Sequence, residues 1–203
     1  VLDKYFIGDI GSILRPGILS CTLNHFIACE KVVSENLAYA LIFENDPFFL
    51  PHFNKYLPLI IEELQSLPPG FIISLENSTL RFPSYFQTSK GQYLYKAKSG
   101  RMAGAYIIDQ KGAQSLLEFT KTHKCNNVID WWHNTLSDQG RLTIFWAQPP
   151  IVEQGSHNGK LQGRISTKNK SALRALAWKI QKTYKQYFGR LLRQKDLLDT
   201  DHL

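Results

Sequence analysis

The sequence predicts an α/β sandwich with a largely parallel central sheet, because short apolar runs alternate with amphipathic stretches along most of its 203 residues. The composition agrees. At 43% hydrophobic and 12% aromatic the chain is rich enough to bury a core, and its length fits one domain with appendages. Proline and glycine clusters fall at the ends of the apolar runs, where they end strands and helices.

Taken in order, Val1 to Arg15 reads as irregular. Pro16-Gly17 then open a pattern in which Leu19, Leu23, Phe26, Ile27, Glu30, Val33 and Leu37 recur at intervals of three and four. That spacing predicts an amphipathic helix of about 20 residues. Tyr39 to Phe43 lacks helical periodicity and stops ahead of Pro47, so it predicts a short buried strand that delivers Glu44-Asn45-Asp46 into a loop. Loops at strand ends of an α/β sheet are where ligand groups commonly sit. The same residues also suit a solvated turn, since Asn and Asp before Pro initiate turns. Phe53 to Leu67 predicts a second helix, broken near Pro58 and ended by Pro68-Pro69-Gly70. Phe71 to Leu75 is a second strand, followed by a long loop of Ser, Tyr, Lys and Gln. Gly104 to Asp109 is a third, with Lys111 to Thr122 as the helix behind it. An aromatic-rich helix starts within "NNVIDWWHNTL", and Arg141 to Pro150 is a fourth strand stopped by two prolines.

The three cysteines, Cys21, Cys29 and Cys125, show no paired metal-ligand spacing. Cys21 and Cys29 on one helix would lie roughly 12 Å apart, too far for a disulfide. All three are expected to be reduced packing residues. With no apolar run of roughly 18 residues and no signal peptide at Val1, the sequence as it stands predicts neither a membrane span nor export. There is no P-loop, G-x-S-x-G or H-E-x-x-H, and the lone Gly8-x-x-Gly11 follows no strand.

Charge is uneven. Lys160 to Lys195 contains 11 of the 24 Lys and Arg and none of the 17 Asp and Glu, so the body is mildly acidic and the tail strongly basic. The asymmetry predicts an anionic surface as partner for the tail. Nucleic acid is disfavoured, because no recognised module interleaves these basic residues with aromatics.

Five segments in succession, "PGILSCTLNHFIACEKVV", "ALIFENDPFF", "AGAYIIDQKGAQSLL", "VIDWW" and "QPPIVEQGSHNGKLQGRIST", resemble glycosyltransferase family 25, the bacterial lipooligosaccharide galactosyltransferase-like proteins. The resemblance runs from about Pro16 to Thr167. It implies a GT-A-like domain over residues 1–167, with 168–203 as a basic helical tail. It further implies inverting transfer of a hexose, galactose from UDP-galactose, to a sugar hydroxyl of a lipid-linked oligosaccharide, with Mn²⁺ or Mg²⁺ as cofactor. The alternative is a catalytically impaired relative that binds a sugar or a partner. The expected location is the cytoplasmic face of a bacterial inner membrane.

The family's acidic Glu-Asp-Asp motif stands here as Glu44-Asn45-Asp46, departing at the middle position. The resemblance makes Asp46 and Glu44 the metal and donor ligands, Asp46 through the cation to the diphosphate and Glu44 on the ribose or a metal-bound water. Gly104, Ala105 and Tyr106 match the family's "GAY" and are expected at the donor. Asp130 matches a Val-Asp position and is the expected base for the acceptor hydroxyl; its other reading is a helix N-cap. The family's Ser-His pair appears as Asn24-His25, with His25 expected to be structural. Of Trp131 and Trp132, at least one is expected in the core. Family members also begin with a strand carrying Asn-Leu and a following Arg, and no such segment precedes Pro16.

The tail, Ser171 to Gln194, places Leu173, Leu176, Ala177, Ile180, Tyr184, Tyr187, Leu191 and Leu192 on one helical face. Arg174, Lys179, Lys182, Lys185, Arg190 and Arg193 occupy much of the rest. Such a helix either docks its apolar face on the protein's core or sits on anionic lipid. Both together would put the apolar face inward and the basic face on lipid.

Overall fold

The computed structural model describes residues 1–155, 172–192 and 197–198, and for 172–175 the backbone alone. Its centre is a five-stranded sheet in the order β1-β5-β3-β6-β4, built from β1 (Tyr39–Phe43), β3 (Phe71–Ser74), β4 (Leu94–Lys96), β5 (Ala105–Asp109) and β6 (Thr143–Ala147). The largely parallel sheet expected from the sequence is in fact mixed. β5 runs antiparallel to both β1 and β3, and β4 antiparallel to β6. Only the pairing of β3 with β6 is parallel. The alternation of strands and helices misled on this point because the link from β3 to β5 is a long loop containing β4 and one 3-10 turn (Tyr85–Gln87) but no α-helix, so it imposes no parallel crossover. A second, two-stranded sheet pairs β2 (Pro47–Phe49) antiparallel with β7 (Val152–Gln154). Each of these strands is only three residues long and follows a turn or a proline pair, so neither shows a strand period of its own.

Successive residues of the central strands point to opposite faces, and the core divides accordingly. On one face Tyr106, Ile108, Ile72, Ile144 and Trp146 pack with Phe26, Leu116, Trp132 and Leu136, which belong to α3 (Pro16–Ser34), α5 (Gln110–His123) and α6 (Ile129–Asp138). On the other, Ala105, Ile107, Ile73 and Phe145 pack with Ile60 and Leu64 of α4 (Phe53–Leu64). The result is three layers, helices over sheet over helix. Asp109 pins two of these layers together. Its carboxylate accepts the backbone N–H groups of Gly70, Phe71 and Gly112, each at 2.8–2.9 Å, capping α5 while holding the start of β3.

Several local expectations are corrected. Val1 to Arg15 contains two helical turns, α1 (Leu2–Tyr5) and α2 (Ile10–Ile13), and buries Tyr5, Phe6, Ile10 and Leu14 against Phe26 and its neighbours. Those four apolar residues are spaced too irregularly to read as an element, yet they complete the core. Pro58 lies inside α4 without breaking it. β1 is a half-buried strand at the sheet edge, not a fully buried one.

The tail helix runs through α7 (Ala172–Thr183), a π-helical turn (Tyr184–Phe188) and α8 (Gly189–Leu192). Of the arrangements open from the sequence, docking of the apolar face on the core is not the one seen. Lys182 pairs with Glu153. The Arg190 guanidinium lies 3.9 Å from the Tyr85 ring centre and donates to the Pro83 carbonyl at 2.8 Å. Meanwhile Leu176, Ile180, Tyr184, Tyr187 and Leu191 are each more than half exposed. Basic side chains anchor the helix, and its apolar stripe faces away from the protein. The side chains of Leu173 and Arg174, Arg193, the 167/168 boundary and the motif beyond Gly155 lie outside the described residues.

Candidate functional site

The end of β1 and the N-terminal half of α3 meet on one side of the sheet, with Asp130 of α6 near enough for its charge to act on Cys21. A cavity of about 590 Å³ opens there, lined by Gly17, Ser20, Cys21, Asn24, His25 and Ala28 of α3 and by Ile42, Phe43, Glu44 and Asn45. Pro16 at the first helical position starts α3. Cys21 and His25, four residues apart, therefore share one face of it. That face meets the residue delivered by β1.

Glu44 is held from every side. Its backbone N–H donates to the Gly104 carbonyl at 3.0 Å. Oε2 accepts from Gln154 Nε2 at 2.8 Å, Oε1 accepts from the Cys21 thiol at 3.5 Å, and His25 Nε2 stands 3.7 Å from Oε1. Burial pushes the Glu44 carboxyl up, but the His25 imidazole, the thiol and the Gln154 amide outweigh it and hold it below its usual range. Behind this shell, His25 Nδ1 and the Tyr106 hydroxyl are 2.8 Å apart, and the two rings stack at 5.5 Å. Tyr106 in turn meets the His133 ring edge-on at 5.3 Å. Burial drives the Tyr106 phenol well above its ordinary value and the His133 imidazole down to about 3, so His133 is neutral. The Cys21 thiol is pushed up to about 12 by burial and by the carboxylates of Glu44, Asp130 and Asp46. It is a thiol at neutral pH.

Gly104 has a specific geometric reason. A Cβ there would stand 2.5 Å from Gln154 Cγ and Nε2. The missing side chain is what lets Gln154 cross to Glu44, so Gly104 makes room for the chain's own glutamine. Gln154 Oε1 and His133 Nε2 are buried without a hydrogen-bond partner, an arrangement that costs stability.

The structure brings together most of the residues expected from the sequence. Glu44 borders the cavity, and Tyr106 supports it through His25. Asp130 lies in the first turn of α6 with Val128, not itself, as the N-cap. Burial raises its carboxyl above the ordinary value. Its own N–H and that of Trp131 oppose the shift, and Glu44 adds to it. Ala105 is different, being fully buried in the core on the opposite face of the sheet. Asp46 is fixed by its carbonyl, which accepts from the Gly155 N–H at 2.8 Å. Trp132 is buried with its indole N–H on the Thr120 hydroxyl at 2.9 Å, while Trp131 is exposed. Cys21 and Gln154 were not singled out from the sequence. The i, i+4 spacing of Cys21 and His25 was a signal for the first; Gln154 lies in the quoted segment "QPPIVEQGSHNGKLQGRIST", but nothing in it points to a contact with Glu44. Cys21 is half-buried at this cavity, not simply a packing residue, and all three cysteines are free.

The shared Glu44–Asp46 cation site expected from the resemblance meets a committed Glu44. Both of its oxygens are occupied by protein donors. Among the described residues, the ligand atoms that cluster closely enough for an ion are those of Cys21, His25 and Glu44, without Asp46.

Comparison with known proteins bears on this geometry. The model of glycosyltransferase family 25 (LPS biosynthesis protein) matches residues 3–131, which includes most of α1, all of α2, the whole α3–β1 cavity wall and Asp130. A "Glycosyltransferase 25 family member" from Aedes aegypti is 22% identical over 171 residues, covering 78% of this chain and 28% of that protein. The chain thus spans under a third of the length of that relative. Since the family match takes in well over half of the chain, and with it the elements that form the cavity, the chain belongs to glycosyltransferase family 25.

Proposed function

We propose that the chain transfers a hexose from a nucleotide-sugar donor, UDP-galactose in the first instance, to a sugar hydroxyl of a lipid-linked glycan, with inversion at the anomeric carbon. The observation that carries this reading is the pairing of Glu44 and His25 on the wall of one open cavity, with a partly buried Asp130 near enough for both to act on its carboxyl, in a chain of this family. Inverting attack needs a base at the acceptor hydroxyl, and Asp130 is assigned that role because burial has made its carboxylate more basic. Glu44, kept ionised, is assigned to orient the donor's ribose. Tyr106 holds the His25 ring that faces Glu44, and Gln154 holds Glu44 itself.

A hard divalent cation needs only one or two protein carboxylates when phosphate oxygens and water fill its shell. Such an ion is assigned to Asp46, the other carboxylate of the acidic motif's loop beside Glu44, on the strength of the family's motif. When bound, the ion would neutralise charge on the departing diphosphate. The exposed apolar stripe of the tail, flanked by Lys179 and Lys185, supports a lipid surface as the place of work. Among the described residues no helix is long and apolar enough to cross a membrane.

Calorimetry of UDP binding with and without Mn²⁺ tests this reading. Wild type should bind UDP more tightly with Mn²⁺, and Asp46→Ala should lose that increment while keeping its fold, since a loop carboxylate contributes little to stability. Asn45 in the acidic motif and the fully engaged Glu44 favour a second reading, a sugar- or partner-binding relative without transfer. Metal-independent, weak UDP binding by wild type would select it.

A further inference from the structure

The chemistry of the trio at the cavity wall is not that of a magnesium or manganese site. A thiol, an imidazole nitrogen and a carboxylate oxygen form the donor set preferred by zinc and its neighbours. Cys21 Sγ is 3.5 Å from Glu44 Oε1 and 3.9 Å from His25 Nε2, and the latter two atoms are 3.7 Å apart. For zinc–sulfur, zinc–nitrogen and zinc–oxygen bonds of ordinary length, the edges of a tetrahedron come to roughly 3.3–3.6 Å. The three side chains would need to shift by only a few tenths of an ångström to take a shared ion.

We propose that Cys21, His25 and Glu44 form a three-ligand site for a thiophilic divalent ion such as Zn²⁺, with its fourth position open to the cavity. The supporting groups are already in place. His25 is almost fully buried, and its other ring nitrogen meets the Tyr106 hydroxyl. The second oxygen of Glu44 is tied to Gln154. Both are the outer contacts that fix ligand orientation in metal sites. The helix contributes two ligands from one face at i and i+4, so two thirds of the site is rigid before the ion arrives. Loading displaces the thiol proton to solvent and leaves a thiolate on the metal. The fourth position would take water or an anionic oxygen. The site depends neither on the proposed donor nor on a cation at Asp46.

The test is Co²⁺ titration of the full chain, reduced with a non-coordinating phosphine, followed by Zn²⁺ displacement. Wild type should take up one Co²⁺ with thiolate-to-metal charge-transfer absorption and the visible bands of a tetrahedral ion. Stoichiometric Zn²⁺ should abolish the signal, and a large excess of Mg²⁺ should leave it unmoved. Cys21→Ser, checked for native fold by circular dichroism, should lose the charge-transfer band. Tyr106→Phe, which removes only the outer contact, should weaken affinity about 10–100-fold while keeping the band. Absence of the band in wild type, its persistence in Cys21→Ser, or displacement by Mg²⁺ would each overturn the proposal. UDP binding that fails to respond to Mn²⁺ would leave it untouched, because that result concerns Asp46.

Discussion

Asp130 gains basicity from where its side chain sits. A carboxyl raised by burial is more stable protonated in the fold than in the unfolded chain. Its contribution to stability is therefore present at low pH and is lost as pH rises through the folded-state value. A base must be ionised to act, so turnover should rise with pH through that same raised value, placing the acid limb of the kcat profile above the ordinary aspartate range. Asp130→Asn keeps the shape and removes the basicity. Turnover should fall by roughly 100-fold or more with donor affinity nearly unchanged, and stability at neutral pH should be no lower than in wild type. Steady-state kinetics over a pH series, with thermal melts beside them, checks both halves. A normal acid limb in Asp130→Asn would assign the titration to another group.

The cap at Asp109 shows how much a strand end and a helix start can depend on one carboxylate. Asp109→Ala would strand the N–H groups of Gly70, Phe71 and Gly112. The loss should be about 3 kcal/mol, more than an ordinary N-cap, because buried donors are left without acceptors. Urea unfolding of the variant measures it, and a loss below about 1 kcal/mol would mean water replaces the carboxylate. The strand holding Asp109 was legible in the sequence, as were α3, β1, β3, α5, α6 and β6, because each strand is a short apolar run and each helix an amphipathic stretch. The direction of the strands was not. Period-2 burial is the same for parallel and antiparallel neighbours, and the chain between β3 and β5 gives no local sign of reversing. Glu44 and Asp130 were legible through motif order. Gln154 was not, since its role depends on a strand pairing, β2 with β7, that joins segments over 100 residues apart.

Considered as one body, the molecule carries its basic tail in an unexpected way. Lys182 and Arg190 dock on Glu153 and the Tyr85 region, which leaves the apolar stripe from Leu176 to Leu191 facing outward. An exposed apolar face flanked by positive charge is suited to shallow insertion among acidic head groups, where each near-surface Lys or Arg contributes about 1 kcal/mol. In vesicle co-sedimentation the intact chain should bind anionic liposomes and be released only in part by salt, because insertion as well as charge holds it. A chain ending at Thr167 should not bind. Leu176→Ser with Ile180→Ser should weaken binding about tenfold or more without changing the charge. Equal binding by intact and shortened chains, or indifference to the serine pair, would remove the tail from any membrane role.

The contact of Gly104 with Gln154 ties two positions into a single heritable unit. With alanine at 104 the Gln154 side chain must swing aside, because the added carbon would occupy the space through which its amide reaches Glu44. What alanine at 104 costs therefore depends on what occupies 154: with glutamine there it loses the tie to Glu44, and with a shorter side chain it loses nothing of the kind. Drift at either position is constrained by its distant partner.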